Sequence, residues 1–281
     1  MSTEGTTETP PKCAAPPAVS AKDPAIPAFL RDTLALADVE LRKLRRDPLE
    51  LLTRAIQPAL WLLIFGQVFG RIKAIPTGNQ SYLTFLVPGI LAQSVLFIAI
   101  FYGISVIWER DMGILQKLLV TPAPRSALVL GKALSAGVRG LSQGFIIYLL
   151  AITLRIPLRF EVRAILGVAG FIILGSALFS TFSLGVACVV RTRERFMGVG
   201  QVLTMPLFFT SNAIYPLSMM PPWLRALAKV NPLSYQVDAL RVLMVQGGQS
   251  IFGLGRDLMI LLLVMVLLVL ITARLYPNVV R

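Results

Sequence analysis

The stretch from Trp108 to Gly140 reads WERDMGILQKLLVTPAPRSALVLGKALSAGVRG, and it holds the most distinctive arrangement of residue types in the chain. Charged residues come first, then a glycine, a short apolar run and a Thr-Pro-x-Pro stop. Met112, Leu115, Leu118 and Leu119 fall on one face of a short helix that Pro122 and Pro124 end. The chemistry on offer is contact rather than bond-making. A short helix tied to apolar segments on both sides transmits a push from a docked partner, or else simply anchors its loop at the membrane surface.

Catalytic and ligand-holding constellations are missing elsewhere. The chain has no histidine, which removes Ser-His-Asp and Cys-His catalysis, histidine-ligated zinc and histidine-held haem. Gly131-Lys132 is followed by Ala133 and lacks the upstream glycine of a phosphate-binding loop, so no ATP site of that type is expected. Asp111, Glu161, Glu194 and Asp257 fall at the ends of apolar blocks, where water still solvates a carboxylate. Acid-free span interiors argue against coupling to a proton or sodium gradient, which usually uses buried carboxylates. Cys13 and Cys188 read as two free thiols.

The elements that must position the loop are apolar. Of 281 residues, 56% are hydrophobic and 15% charged, and the mean hydropathy is +0.74. A span takes about 20 mainly apolar residues, and only helices or closed barrels satisfy the backbone in lipid. The apolar blocks are too long for barrel strands. They place six spans near residues 49–70, 82–107, 137–154, 164–190, 196–213 and 258–275, which makes an all-α integral membrane protein.

The net charge of +13 does not point to nucleic acid, because the basic residues cluster at the ends of apolar blocks with no aromatic groove beside them. Eighteen of the 27 Lys and Arg lie on the side shared by the termini. By the positive-inside rule both termini are cytosolic. Residues 1–26, rich in Thr, Pro and Ala without an apolar core, read as a disordered cytosolic tail rather than a signal peptide. Over residues 27–47, Leu30, Leu34, Ala37, Leu41 and Leu44 form one helical stripe, suited to the headgroup plane or to an ordinary solvated helix. Residues 215–257 are too polar to span and too apolar for a free loop. With Pro216, Pro221, Pro222 and Pro232 they read as re-entrant half-helices dipping into the outer leaflet.

Further candidates carry two readings each. Gly66 with Gly70, and Gly140 with Gly144, are spaced as GxxxG, for a dimer or for packing within the chain. Arg191, Arg193, Glu194 and Arg195 form a second inner loop that sets topology or makes a minor partner contact. Asp238 and Arg241, three apart on a helix, are expected to form a local ion pair.

Two motifs carry a family resemblance. ERDMGILQKLLVTPAPRSALVLGK and the later YPLSMMPPWLRALAKVNPLSYQVDALR, in that order and between the corresponding spans, resemble the permease subunit of ATP-binding-cassette type-2 exporters. The likeness leans to the daunorubicin-type drug-resistance branch, with polysaccharide and nodulation-factor exporters as relatives, and runs from about Pro27 to Tyr276. It implies a chain that is not catalytic by itself, a second permease copy, and two separate cytosolic ATPase subunits that hold the ATP and Mg. Residues 27–47 become a connecting helix and residues 48–281 a six-span permease domain. Glu109, Arg110, Gly113, Leu115, Leu118, Leu119, Thr121 and Pro122 match the coupling helix that seats in the ATPase. Pro216, Met220, Pro221, Trp223, Asn231, Pro232 and Tyr235 match the outer re-entrant cap. Gln93, Phe97, Phe101, Phe208, Phe209 and Asn212 fall on the second and fifth spans, which border the cavity in that family. Their apolar and aromatic character suits a hydrophobic or amphipathic cargo (a drug, a lipid or a lipid-linked glycan), or equally core and lipid packing. The implied location is a prokaryotic plasma membrane, and an ion-gradient-driven secondary transporter is the alternative. One departure stands out: Gln116-Lys117 occupies a place where a second acidic residue is expected.

Overall fold

The computed structural model describes residues 53, 56–72, 75, 80–112, 125–190 and 192–275. The tail expected over residues 1–26, the helix expected over residues 27–47, the start of the first span and the whole Gly113–Pro122 segment therefore lie outside the described residues. Helix α1 (Ile56–Ile72) contains a π-turn at Trp61–Phe65. It is followed by α2 (Tyr82–Asp111), α3 (Arg125–Thr153), α4 (Val162–Val189), α5 (Arg193–Phe209), α6 (Pro222–Val230), α7 (Pro232–Met244) and α8 (Leu254–Leu275). Among the described residues there is no strand, only an isolated bridge between Leu158 and Val245.

Among the described residues, four helices are long and apolar enough to cross a membrane: α2 over Tyr82–Phe101, α3 over Ala136–Thr153, and the whole of α4 and α8. These sit where the hydropathy of the sequence places spans two, three, four and six. The fifth block differs. Its helix covers 17 residues, about 25 Å, and stops at Phe209 instead of reaching 213. Ser211 and Thr210 end it: the Ser211 hydroxyl donates 2.6 Å back to the Phe208 carbonyl, and the Thr210 N–H bonds to Pro206 O. Short polar side chains there compete with continued helix.

Helix α4 is the hub of the bundle, packed on α2, α3, α7 and α8. Its partner α3 approaches through Gly140 and Gly144, where an added Cβ would meet Ser176 and Ile172 of α4. For this pair the glycine spacing serves packing within the chain. Gly66 likewise faces Leu83 of α2, while Gly70 faces open space. On α8, Asp257, Leu261, Met265, Val269 and Thr272 are buried in one stripe, and Leu263, Val266, Leu267 and Leu270 on the opposite side are more than half exposed. A helix apolar on both faces but packed on one is built for lipid outside and protein inside.

Helix α7 is the reverse of α8. Every residue from Leu233 to Arg241 is buried, because α7 is inserted among α2, α4 and α8. It follows α6 with only Asn231 between them, and this residue ends α6 and caps α7.

Candidate functional site

At the inner end, Glu109 and Arg110 occupy the last turn of α2. Gly113, Leu115, Leu118, Leu119, Thr121 and Pro122 lie outside the described residues. Next to them the chain makes a clamp. Asp111 Oδ2 accepts from Arg193 Nη2 at 2.8 Å and Nε at 3.2 Å, and the same guanidinium stands 3.9 Å above the Trp108 ring. Both side chains of the pair are a little over a third exposed. Arg193 opens α5, whose first turn is capped by the Thr192 hydroxyl accepting from the Arg195 N–H. The second inner loop, expected to set topology or to touch a partner, is thus bolted to the base of the Glu109–Pro122 motif. The sequence held the signal in Trp108, Asp111 and Arg193, but 82 residues separate the acid from its base.

The six residues assigned to a pathway separate into two groups. Gln93, Phe208 and Asn212 are buried within the chain. Phe208 packs edge-on to Trp61 of α1 with centroids 5.6 Å apart and touches Phe209 at 5.4 Å. Phe101 and Phe209 are 40% and 44% exposed, so both present apolar surface outward. Phe97, 6.3 Å from Phe101, lines a cleft of about 240 Å³ between α1, α2 and α3. A larger apolar groove, about 810 Å³, runs past Val189, Val199 and Val202 between the end of α4 and α5.

The outer motif forms a braced cap. Pro216 and Met220 flank a single 3-10 turn, Leu217–Met219, and Pro221 precedes α6 with Pro222 at its first position, where the missing N–H is harmless. Arg225 donates to the carbonyls of Leu217, Ser218 and Met220 at 3.1–3.2 Å, closing that turn. Asn231 does three jobs. Its Oδ1 accepts from the Leu233 N–H at 2.9 Å, and its Nδ2 donates to Leu207 O at 2.6 Å and Thr210 Oγ1 at 2.9 Å. Pro232 is the first residue of α7, and the Tyr235 hydroxyl donates 2.5 Å to Lys229 O, tying α7 back to α6. Tyr82 Oη donates to Ile214 O at 3.1 Å, and the Tyr215 hydroxyl donates to Phe209 O. Trp223, Leu227 and Val230, spaced on one face of α6, stay exposed.

Two expectations fail here. Asp238 and Arg241 do not pair with each other. Asp238 Oδ2 accepts from Ser250 Oγ at 2.7 Å and from the N–H groups of Ile251 and Phe252 at 2.9 and 3.1 Å. It thereby caps the loop that leads into α8. Arg241 turns the other way, donating 2.8 Å to Asn212 O and lying 3.9 Å over the Phe85 ring. Its Nε and Nη1, and both amide atoms of Asn212, have no hydrogen-bond partner. Asp257, expected at a solvated span end, is fully buried beside Asp238, with neither oxygen receiving a hydrogen bond. Helix α7 packs against α8 and Asp257 at the start of α8 is removed from water, which hydropathy along α8 does not register. Asp111, Glu161 and Glu194 are exposed at helix ends as expected.

Among the described residues no group of three or more Cys, Asp or Glu is placed to hold a metal ion, and Cys188 is a buried free thiol.

The arrangement is one of braces, clefts and a loop base, and comparison with known proteins agrees with it. The family model of the ABC-2 type transporter matches residues 31–245. The ycf38 protein of Cyanophora paradoxa is 31% identical over 76% of this chain and 74% of its own length. The daunorubicin resistance ABC transporter permease protein DrrB1 of Streptomyces coeruleorubidus is 28% identical over 82% of this chain and 81% of its own. The inner membrane transport permease YadH of Escherichia coli K12 is 25% identical over 66% of this chain and 73% of its own. Helices long and apolar enough to cross a membrane and a family match spanning both motifs lead to one conclusion: the chain belongs to the ABC-2 type transporter family, as a multi-pass transmembrane transporter subunit.

Proposed function

We propose that this subunit is the six-span permease of an ATP-driven exporter that moves a hydrophobic or amphipathic compound (a drug, a lipid or a lipid-linked glycan) out of the cytosol or inner leaflet. It works with a second permease copy and two cytosolic ATPase subunits, which hold ATP and Mg, and it does no catalysis itself. It sits in a prokaryotic plasma membrane with both termini in the cytosol. The observation that carries this reading is the clamp at the inner end. Asp111, Trp108 and Arg193 join α2 to α5 immediately beside Glu109 and Arg110. A push on the segment from Glu109 to Pro122 would then act on both helices at once, and α5 leads through Asn231 into the cap. Such a route supplies the differential contact that ATP-driven closure of a partner needs in order to shift the permease between two states.

The cap from Tyr215 to Arg241 acts in this scheme as the outer gate, with α6 and α7 as the two arms of a re-entrant hairpin around Asn231 and Pro232. Phe97, Phe101 and Phe209 are the pathway candidates left with free surface. Gln93, Phe208 and Asn212 support the helices from behind.

A second reading, transport driven by an ion gradient, draws on Asp238 and Asp257, because two buried neighbouring carboxyls are the feature that such transporters require. One experiment separates the two. ATP hydrolysis is measured for the purified chain in lipid, alone and with its candidate ATPase, for wild type, Glu109→Ala and Leu118→Asp. The exporter reading expects no hydrolysis by the chain alone, turnover in the complex, and uncoupling by both substitutions. Solute uptake that follows an imposed proton or sodium gradient without ATPase would replace it by the second reading.

A further inference from the structure

We propose that the cleft between α1, α2 and α3 binds the uncharged, oxygen-bearing part of an amphiphilic small molecule, with Gln143 as the hydrogen-bond donor that holds it. The cleft measures about 240 Å³, and its walls include Thr53 and Gln57 from the first helical block, Ser94, Phe97 and Ile98 from α2, and Gln143 from α3. None of its described lining residues is charged. An ionic headgroup entering among them would lose its water with no opposite charge from these residues to meet it.

The polar groups point to the chemistry that fits. Gln143 is 1% exposed, and its Nε2 has no hydrogen-bond partner. A buried amide donor left unmet is costly and rare in native proteins, and it is satisfied by a hydroxyl, ether or carbonyl oxygen. The Ser94 hydroxyl spends its proton on Ile90 O at 2.9 Å, so toward the cleft it can only accept. One fixed donor beside one fixed acceptor matches a hydroxylated ring. Phe97, half-buried against Phe101, offers the apolar face on which such a ring rests. The volume is below the range of about 300–1,000 Å³ that encloses a whole drug-sized ligand. The cleft therefore takes one ring or headgroup and leaves an alkyl or polycyclic remainder among the helices and lipid.

An oxygen-rich uncharged group of this kind belongs either to transported cargo or to a neutral lipid of the bilayer. The site rests on the exporter reading only where its ligand is called cargo. The test uses the full chain in phosphatidylcholine nanodiscs with three photoactivatable probes: an alkyl glucoside, a diacylglycerol and an anionic phosphatidylglycerol. Labelled peptides are mapped by mass spectrometry. Expected is saturable labelling of the Ser94–Ile98 or Gln143 peptides by an uncharged probe. Gln143→Leu should reduce it at least fivefold, and Ile98→Trp, which fills the cleft without removing a hydrogen bond, should abolish it. Variants are compared only where they remain monodisperse. Labelling by glucoside that excess unlabelled glucoside displaces assigns the site to cargo-like glycosides; labelling by diacylglycerol that glucoside does not displace assigns it to a resident neutral lipid. Labelling led by phosphatidylglycerol, or unchanged by both substitutions, overturns the proposal. Because binding is read on the chain alone, lost labelling with intact ATPase coupling removes the cleft and leaves the exporter reading. Labelling without coupling does the opposite.

Discussion

The two ends of the bundle each hold an aspartate and an arginine, and each end uses them differently. At one end Asp111 and Arg193, 82 positions apart in the chain, pair at 2.8 Å and remain over a third exposed. At the other end Asp238 and Arg241 sit one turn apart on α7, both buried, and each binds backbone groups in place of the other. The exposed pair is replaceable by water and contributes little to stability, about 0–1 kcal/mol. The buried groups have no such substitute. What the contrast teaches is that the Asp238 end is built to hold a fixed shape, whereas the Asp111 end makes a contact that is easily broken and remade.

The largest test of that contrast is Asp238→Ala. It leaves the N–H groups of Ile251 and Phe252 and the Ser250 hydroxyl without their acceptor, so unfolding in mixed micelles should show a loss of about 2–4 kcal/mol. A loss under about 1 kcal/mol would mean that the loop into α8 holds itself. Next comes Gly89→Val. A Cβ at Gly89 would run into the backbone carbonyl of Ala213, where the chain leaving α5 crosses α2, and overpacking against backbone should cost about 1–3 kcal/mol in the same titration. Wild-type stability would show that the crossing gives way and that the outer end is softer than its burial implies.

Asn231→Ala follows in size. It removes the α7 cap and both bonds to the end of α5, for about 1–2 kcal/mol, and protease cleavage between α6 and α7 should become faster. The smallest change in stability is expected from Arg193→Ala, under about 1 kcal/mol, even though it takes away both the ion pair and the stacking on Trp108. Its effect should appear in partner-stimulated ATP hydrolysis, and raised salt should weaken coupling in wild type more than in the variant. A loss of stability comparable to Asp238→Ala, with coupling intact, would erase the difference between the two ends.

Much of the fold was legible. Apolar length alone located α2, α3, α4 and α8, because lipid forces each crossing segment to satisfy its own backbone. The prolines Pro216, Pro221, Pro222 and Pro232 marked the breaks in the segment before α8, since proline acts locally. Helix α5 was read four residues too long, because hydropathy counts Ala213 as continuous with Phe209 and misses the pull of Thr210 and Ser211 on the backbone. Of the site, the inner motif was visible as a pattern, and its clamp was not. Arg193 and Asp111 show nothing of each other until α2 and α5 pack together. The Asp238–Arg241 pair was misjudged for the complementary reason. A three-residue spacing permits the contact, but the bare N–H groups of the α8 loop and the Asn212 carbonyl offered each side chain a better partner.

By itself the sequence determined the solvent, the helical class and the family, because these follow from composition, from local backbone preferences and from contiguous motifs. Only the tertiary structure decided which charged groups are wet and which are buried. It buried Asp257 where α7 packs on α8, bolted the start of α5 to the end of α2 through Arg193 and Asp111, gave Gly140 and Gly144 to α4, and left the Gln143 amide unmet at a cleft. Burial and pairing depend on distances between residues far apart in the chain, and spacing along the chain does not contain them.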